Sequence, residues 1–274
     1  MNEFKLGLIR EVNKLLKHYL IKRMVLIHNA WKIDEPGTAI PVNYKDRTFL
    51  LTAWHVINCE RTGGADHEAI RLGGTCDDPP YAASTEKKDF KVWGCKLDII
   101  DIFSFKLYDI AAIEIRKEQL QEKVGVVPFE EHQLQSEIKP KVIANQFGFP
   151  TLGFTYRSER IDYNNWLEQT FARPCILQTL PRDKPDYKPN RKINDHDRFY
   201  ERDEQEVSYE ETRGISGGGV CQFADPMSEI LDLDKHLKLV GICAGVEPEL
   251  SNDLFMRTTS VDAAKFIIDK RKRE

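Results

Sequence analysis

Apolar residues at positions 8, 12, 15, 16, 19 and 20 recur at helical spacing, with Lys14, Lys17, Lys22 and Arg23 set between them. This pattern predicts an amphipathic basic helix over residues 4–25, packed on the outside of the domain. From Met24 onward the texture changes to short β-rich runs: 24–27, 38–42, 48–52, 90–93, 99–105, 110–115, 141–144, 175–179, 220–223 and 239–246. Gly, Pro, Asp and Asn punctuate them, as in barrels and sandwiches rather than βαβ units. No internal repeat of fixed period is present. Two stretches read as long surface loops. Residues 60–88 hold Gly63-Gly64, Gly73-Gly74 and Pro79-Pro80, and residues 181–206 are dominated by charges and three prolines. The second could also serve as a lid. The chain then closes with Ser260 as N-cap, Asp262 in the first turn, and Ala263, Phe266 and Ile267 on one face of a second amphipathic helix.

Composition narrows the class. With 274 residues, the chain has room for one large domain or two compact halves. Apolar residues at 41% and charged residues at 31% exclude a disordered protein. The balance of 40 Lys+Arg against 44 Asp+Glu gives no bulk electrostatic case for nucleic acid. No apolar run reaches the ~18–20 residues of a membrane span, and Lys, Arg and Glu interrupt the first 25 residues too often for a secretory signal. The six cysteines form no CxxC pair, which removes zinc-finger and thioredoxin-like readings. Reduced thiols and a cytoplasmic setting are the expectation.

Three stretches carry candidate chemistry. In Gly214-Ile215-Ser216-Gly217-Gly218-Gly219-Val220 the glycines allow a tight turn whose backbone N–H groups can converge on one point. A serine hydroxyl becomes a nucleophile only with a base to take its proton and donors to receive the oxyanion. Thr52-Ala53-Trp54-His55-Val56-Ile57 sets a histidine at the end of an apolar strand, preceded by Gly37-Thr38-Ala39-Ile40-Pro41-Val42. Tyr108-Asp109-Ile110-Ala111-Ala112-Ile113 puts an acid directly before a strand that reads as fully buried, where an unpaired charge is costly. Taken singly, each has a plainer explanation: a glycine-rich turn, a core histidine, a strand-capping aspartate. Asp98 and Asp101 compete with Asp109 but lack its acid-then-strand pattern. The Gly214-x-Ser216-x-Gly218 spacing also fits the nucleophile elbow of α/β-hydrolases, but that fold needs an acid and a histidine downstream, and only His236 follows.

The motifs G-T-A-I-P-V…L-L-T-A-W-H-V, D-I-A-A-I and G-I-S-G-G-G-V, in the order His, Asp, Ser, together resemble the trypsin-like (chymotrypsin-fold) serine peptidases. The likeness is closest to the compact bacterial branch typified by HtrA-like proteases. Residues 142–150 and 239–246 add softer matches. The resemblance implies an all-β fold of two six-stranded antiparallel β-barrels, over residues 25–130 and 131–259. Helical segments at 1–24 and 260–274 would flank them, and the charged loop 181–206 would belong to the second barrel. It implies His55 as general base, Asp109 as its orienting acid, Ser216 as nucleophile, and the Gly214 and Ser216 N–H groups as oxyanion hole. Ala244, Gly245 and Val246 would pair with substrate backbone, Cys243 and Val246 would line the pocket, and Glu210 at its base would select Arg or Lys. Glu210 reads equally as a solvent-facing loop acid.

The expected activity is cytoplasmic, cofactor-free and metal-free peptide-bond hydrolysis on a protein or peptide substrate, with a regulatory protein partner as a further expectation. The alternative is a protease-like binding module without turnover. Three positions depart from the family pattern. Ile215 stands where digestive enzymes carry an aspartate that captures a new N-terminus, so activation by that route is not expected. Gly219 replaces a usual proline, and Trp54 is bulkier than the usual neighbour of the histidine. No PDZ-like segment follows, so the HtrA peptide-sensing arrangement is not carried over.

Overall fold

The computed structural model describes residues 15–16, 18–29, 36–59, 64–65, 67–73, 81–86, 89–91, 95–123, 125–136, 149–162, 167–182, 193–202, 214–224, 232–248 and 254–270. Runs of apolar residues form its strands, and these make two curled antiparallel sheets. The first has the order β10 (Ile99–Phe105), β11 (Ile110–Ile115), β3 (Arg47–Thr52), β2 (Gly37–Tyr44), β1 (Val25–Asn29), β6 (Ile70–Leu72) and β9 (Cys95–Lys96), a half-barrel. In the second, β12 (Phe149–Asp162), β15 (Gly219–Phe223), β16 (Leu237–Pro248), β17 (Leu254–Ser260), β14 (Asp197–Arg202) and β13 (Leu167–Arg182) follow in order, and β13 pairs back onto β12. Six strands thus pair in a ring, giving a nearly closed barrel. The hairpin β7 (Tyr81–Glu86) and β8 (Asp89–Lys91) adds to β13, although it lies within the span assigned to the first barrel. A short pair, β4 (Asn58–Cys59) and β5 (Gly64–Ala65), stands apart.

The core sits between and within the sheets. Ile40, Val42, Phe49 and Leu51 of the first sheet pack in one cluster with Leu152, Phe154, Leu239 and Ile242 of the second. A separate cluster, including Val25, Ile27, Leu50 and Ile113, fills the first sheet alone. At roughly 25 cal/mol per Å² of apolar surface removed from water, these contacts supply the main stabilisation. Two charged pairs join strands: Glu114 accepts from Arg47 at 2.9 Å, and Arg257 donates to Asp197 at 2.6 Å with both side chains almost wholly buried. A buried charge tolerates that setting only with such a partner.

The first helix is helical where described, at residues 15–16 and 18–21; Leu16 and Leu20 are built into the shared core, while Leu15 is exposed. The closing helix Val261–Lys270 begins as expected, the Asp262 N–H donating to Ser260 Oγ at 3.2 Å. Its buried face differs from the expectation: Val261, Ala263, Ala264, Ile267 and Ile268 point inward, and Phe266 is exposed. Both expected loops contain strands. The span 60–88 holds β5, β6 and β7, and the span 181–206 holds the end of β13 and all of β14. The run 141–144 lies outside the described residues. Among the described residues, no helix is long and apolar enough to cross a membrane.

Burial, with the charge of Arg71 adding to it, pushes the His28 imidazole down to about 4. The unfolded chain takes up this proton near the ordinary histidine value of about 6.5, so it binds more protons than the folded protein between the two values. Stability is therefore complete above that window and falls by roughly 3 kcal/mol as pH drops through it. Denaturant midpoints measured from pH 7 to pH 4 should fall in the wild type and fall less in His28→Phe. Equal slopes in the two proteins would reject the assignment.

Candidate functional site

Strand pairing brings the first two site residues together. Ala111 of β11 lies opposite Thr52 of β3. The chain enters β11 from Asp109 and leaves β3 towards His55, so both sit at the same end of the sheet. Asp109 closes a 3-10 turn, Lys106–Tyr108, in the left-handed region at φ 51°, ψ 48°. Aspartate tolerates that region better than most residues, and strain of this kind gathers at functional sites. His55 lies in the one-turn helix Trp54–Ile57.

His55 Nδ1 is 2.9 Å from Asp109 Oδ2 and 3.1 Å from Oδ1, and the His55 backbone N–H donates to Oδ1 at 3.0 Å. The Asp109 side chain is 12% exposed and that of His55 45%. An ionised carboxylate only accepts, so it selects the tautomer with the proton on Nδ1 and leaves Nε2 able to accept one. The Asp109 turn is held from both sides. Lys106 Nζ lies over the Trp54 ring at 5.3 Å, and Thr259 of β17 donates its hydroxyl to the Tyr108 carbonyl at 2.6 Å.

Ser216 occupies a hydrogen-bonded turn in which the Gly218 N–H donates to the Ile215 carbonyl at 2.8 Å. Gly217, third in the turn, has φ +84°, the conformation a type II turn demands there. A Cβ on Gly217 would fall 1.9 Å from the Thr38 carbonyl oxygen and 3.1 Å from the Ala53 nitrogen. The turn is thus pressed against the strand ends that lead into His55. Two bonds fasten it to β16: Gly217 N–H to the Cys243 carbonyl and Cys243 N–H to the Gly218 carbonyl, each 2.7 Å. A third joins it to β2, where the Thr38 N–H donates to the Ser216 carbonyl at 2.8 Å.

The Ser216 hydroxyl makes no hydrogen bond to His55 or to any other described residue. The Gly214 and Ser216 N–H groups likewise have no acceptor among the described residues. On β16, pairing with β15 ends at Ile242, while β17 continues along its other edge to Pro248. The edge of Ala244, Gly245 and Val246 on the β15 side therefore lacks a strand partner among the described residues. Glu210 lies outside the described residues.

Cys243, beneath the turn, is wholly buried in a cluster with Leu177, Ile215 and Met256. Burial, with the nearby Asp109 charge adding to it and a hydrogen bond to the Gly245 carbonyl opposing it, pushes its thiol up to about 12. Such a thiol stays protonated and unreactive at neutral pH. Among the described residues, no cluster of His, Cys, Asp and Glu is arranged to hold a metal ion.

Thr38 was unassigned in the sequence, yet all its polar groups are used. Besides the bond to Ser216, its carbonyl accepts from the Thr52 hydroxyl at 2.7 Å, its hydroxyl donates to the Gly214 carbonyl at 2.9 Å, and the Phe154 N–H donates to that hydroxyl at 2.7 Å. A threonine opening a strand is too common for any sequence signal to mark this role. No protein-family model matches the chain, and no curated protein matches it.

Proposed function

We propose that the chain is a serine endopeptidase using Ser216, His55 and Asp109. The observation that carries this reading is the His55–Asp109 pair: a carboxylate holds Nδ1 at 2.9 Å beside the turn that presents Ser216. In this mechanism substrate lies along the open edge at residues 244–246, and its entry brings the Ser216 hydroxyl onto His55 Nε2. Catalytic hydrogen bonds commonly tighten only in the substrate complex. Nε2 takes the hydroxyl proton as Oγ attacks the scissile carbonyl. The negative charge developing on the carbonyl oxygen is met by the Gly214 and Ser216 N–H groups, a contribution of about 3–4 kcal/mol per donor in such sites. His55 then protonates the leaving amine, and water releases the acyl group from Ser216 by the reverse sequence.

A second reading, a binding module that keeps the fold without turnover, is favoured by the absent Ser216–His55 hydrogen bond. A fluorophosphonate probe separates the two. Under the peptidase reading it labels wild type on Ser216 and leaves Ser216→Ala unlabelled. Wild type that stays unlabelled, alone or with candidate substrates, supports the binding module.

The Glu210 carboxylate, six residues before Ser216 in sequence, is proposed to select Arg or Lys before the scissile bond, against its reading as a solvent-facing loop acid. Glu210→Gln should weaken cleavage after basic residues in a peptide library and leave other cleavages unchanged. An identical cleavage profile removes Glu210 from specificity.

A further inference from the structure

We infer that the Thr38 hydroxyl is the positioning group that holds the oxyanion turn in its working shape, an inference that rests on the peptidase reading above. Ile215 occupies the place from which a charged residue could anchor this turn to a new N-terminus, and its side chain is apolar and 1% exposed. Order in the turn must come from elsewhere.

The hydrogen bonds around Thr38 supply it. A trans peptide is planar, with its N–H pointing opposite to its C=O, so fixing one carbonyl fixes the donor of the same unit. The Gly218 N–H holds the Ile215 carbonyl at 2.8 Å, which aims the Ser216 N–H the other way. The Thr38 hydroxyl holds the Gly214 carbonyl at 2.9 Å and so fixes the Gly214–Ile215 peptide plane, which lies between the two donor-bearing peptides and is joined to the Gly214 N–H through one rotation, φ +93°. Thr38 is 0% exposed, and its hydroxyl is held on both sides: it accepts from the Phe154 N–H of β12 while its proton goes to Gly214. The Thr52 hydroxyl, three residues before His55, fixes the Thr38 carbonyl in turn. Through its hydroxyl and its backbone, this one residue of the first sheet ties the base-bearing strand, the second sheet and the nucleophile turn into one unit. The turn is held by hydrogen bonds from within the fold.

Thr38 touches no reacting atom, so its substitution should act on the chemical step through the turn. Thr38→Val keeps the shape and removes the hydroxyl; Thr38→Ser keeps the hydroxyl. Steady-state hydrolysis of a peptide ester and fluorophosphonate labelling are measured below each protein's melting temperature, with near-UV circular dichroism reporting the folded fraction. The expected result is that kcat of Thr38→Val drops about 100-fold, the scale of losing one oxyanion donor. KM and the pH midpoint should stay at wild-type values, because His55 and Asp109 are untouched, and Thr38→Ser should recover most of the loss. If the valine variant does not fold, Thr38→Ala, which leaves room for water, takes its place. Wild-type kcat in the folded valine or alanine variant, or an equal loss in Thr38→Ser, overturns the positioning role while labelling of wild type leaves the peptidase reading standing. Wild type that neither hydrolyses the ester nor takes the label overturns both.

Discussion

Ser216→Ala and His55→Ala are each expected to abolish peptide hydrolysis by several orders of magnitude, roughly 10⁴–10⁶ in kcat, leaving only what the oxyanion donors and substrate binding supply. The double variant should be hardly worse than either single one, because nucleophile and base act in one step and their contributions do not add. Neither change should disturb the fold. The Ser216 hydroxyl has no hydrogen bond among the described residues, and the His55 side chain is nearly half exposed. Removing the serine hydroxyl should stay within about 0.5 kcal/mol, and His55→Ala should cost about 1 kcal/mol more for the hydrogen bond lost from Asp109. Steady-state kinetics on a cleavable peptide, with thermal unfolding in parallel, checks both points. A Ser216→Ala protein that keeps even a tenth of wild-type turnover would take the serine out of the mechanism.

Asp109→Asn is the second large effect, with an expected loss of about 10⁴ in kcat. The amide has nearly the carboxylate's shape, and asparagine adopts the left-handed backbone at least as readily as aspartate, so the turn at φ 51° should persist. Its Oδ1 can still accept the His55 backbone N–H that Asp109 accepts at 3.0 Å. What changes is the partner of the ring. An amide N–H facing Nδ1 favours the tautomer with its proton on Nε2, and that imidazole cannot accept from Ser216. The negative charge that stabilises the imidazolium is lost as well. Kinetics of Asp109→Asn beside Asp109→Glu, with melting temperatures as control, provide the check. Near-native turnover in the asparagine variant would move the acid role to another residue.

The parts of this architecture that were legible in the sequence are those where apolar side chains dominate. In β3 and β11 every residue but Arg47 is buried; β11 coincides with the expected run 110–115, and β3 begins one residue before the expected 48–52. His55 and Asp109 stood out because each lies just beyond one of these strands, and antiparallel pairing carries both to one end. The strand β14 was hidden. Its inward set includes Asp197, whose burial depends on Arg257, a partner distant in sequence, so Phe199 and Tyr200 looked like isolated apolar residues in a charged loop. The span of β17 was concealed for the same reason, since Arg257 and three hydroxyl residues interrupt it. On the closing helix, Phe266 was placed on the wrong face: Ala263 and Ile267 stack four residues apart and face inward, whereas Phe266 is turned about 100° from Ile267. Thr38 illustrates the deeper limit. Its role depends on four polar partners from three other stretches of chain, and only folding brings them together.

The most direct measurement is a crystal structure of the protein after reaction with a fluorophosphonate. The proposed mechanism predicts a covalent bond from phosphorus to Ser216 Oγ, a phosphoryl oxygen facing the Gly214 and Ser216 N–H groups, and His55 Nε2 within hydrogen-bond reach of the adduct while Nδ1 keeps Asp109. An adduct on a different residue, or a phosphonylated Ser216 with His55 turned away and the two N–H groups unused, would contradict it.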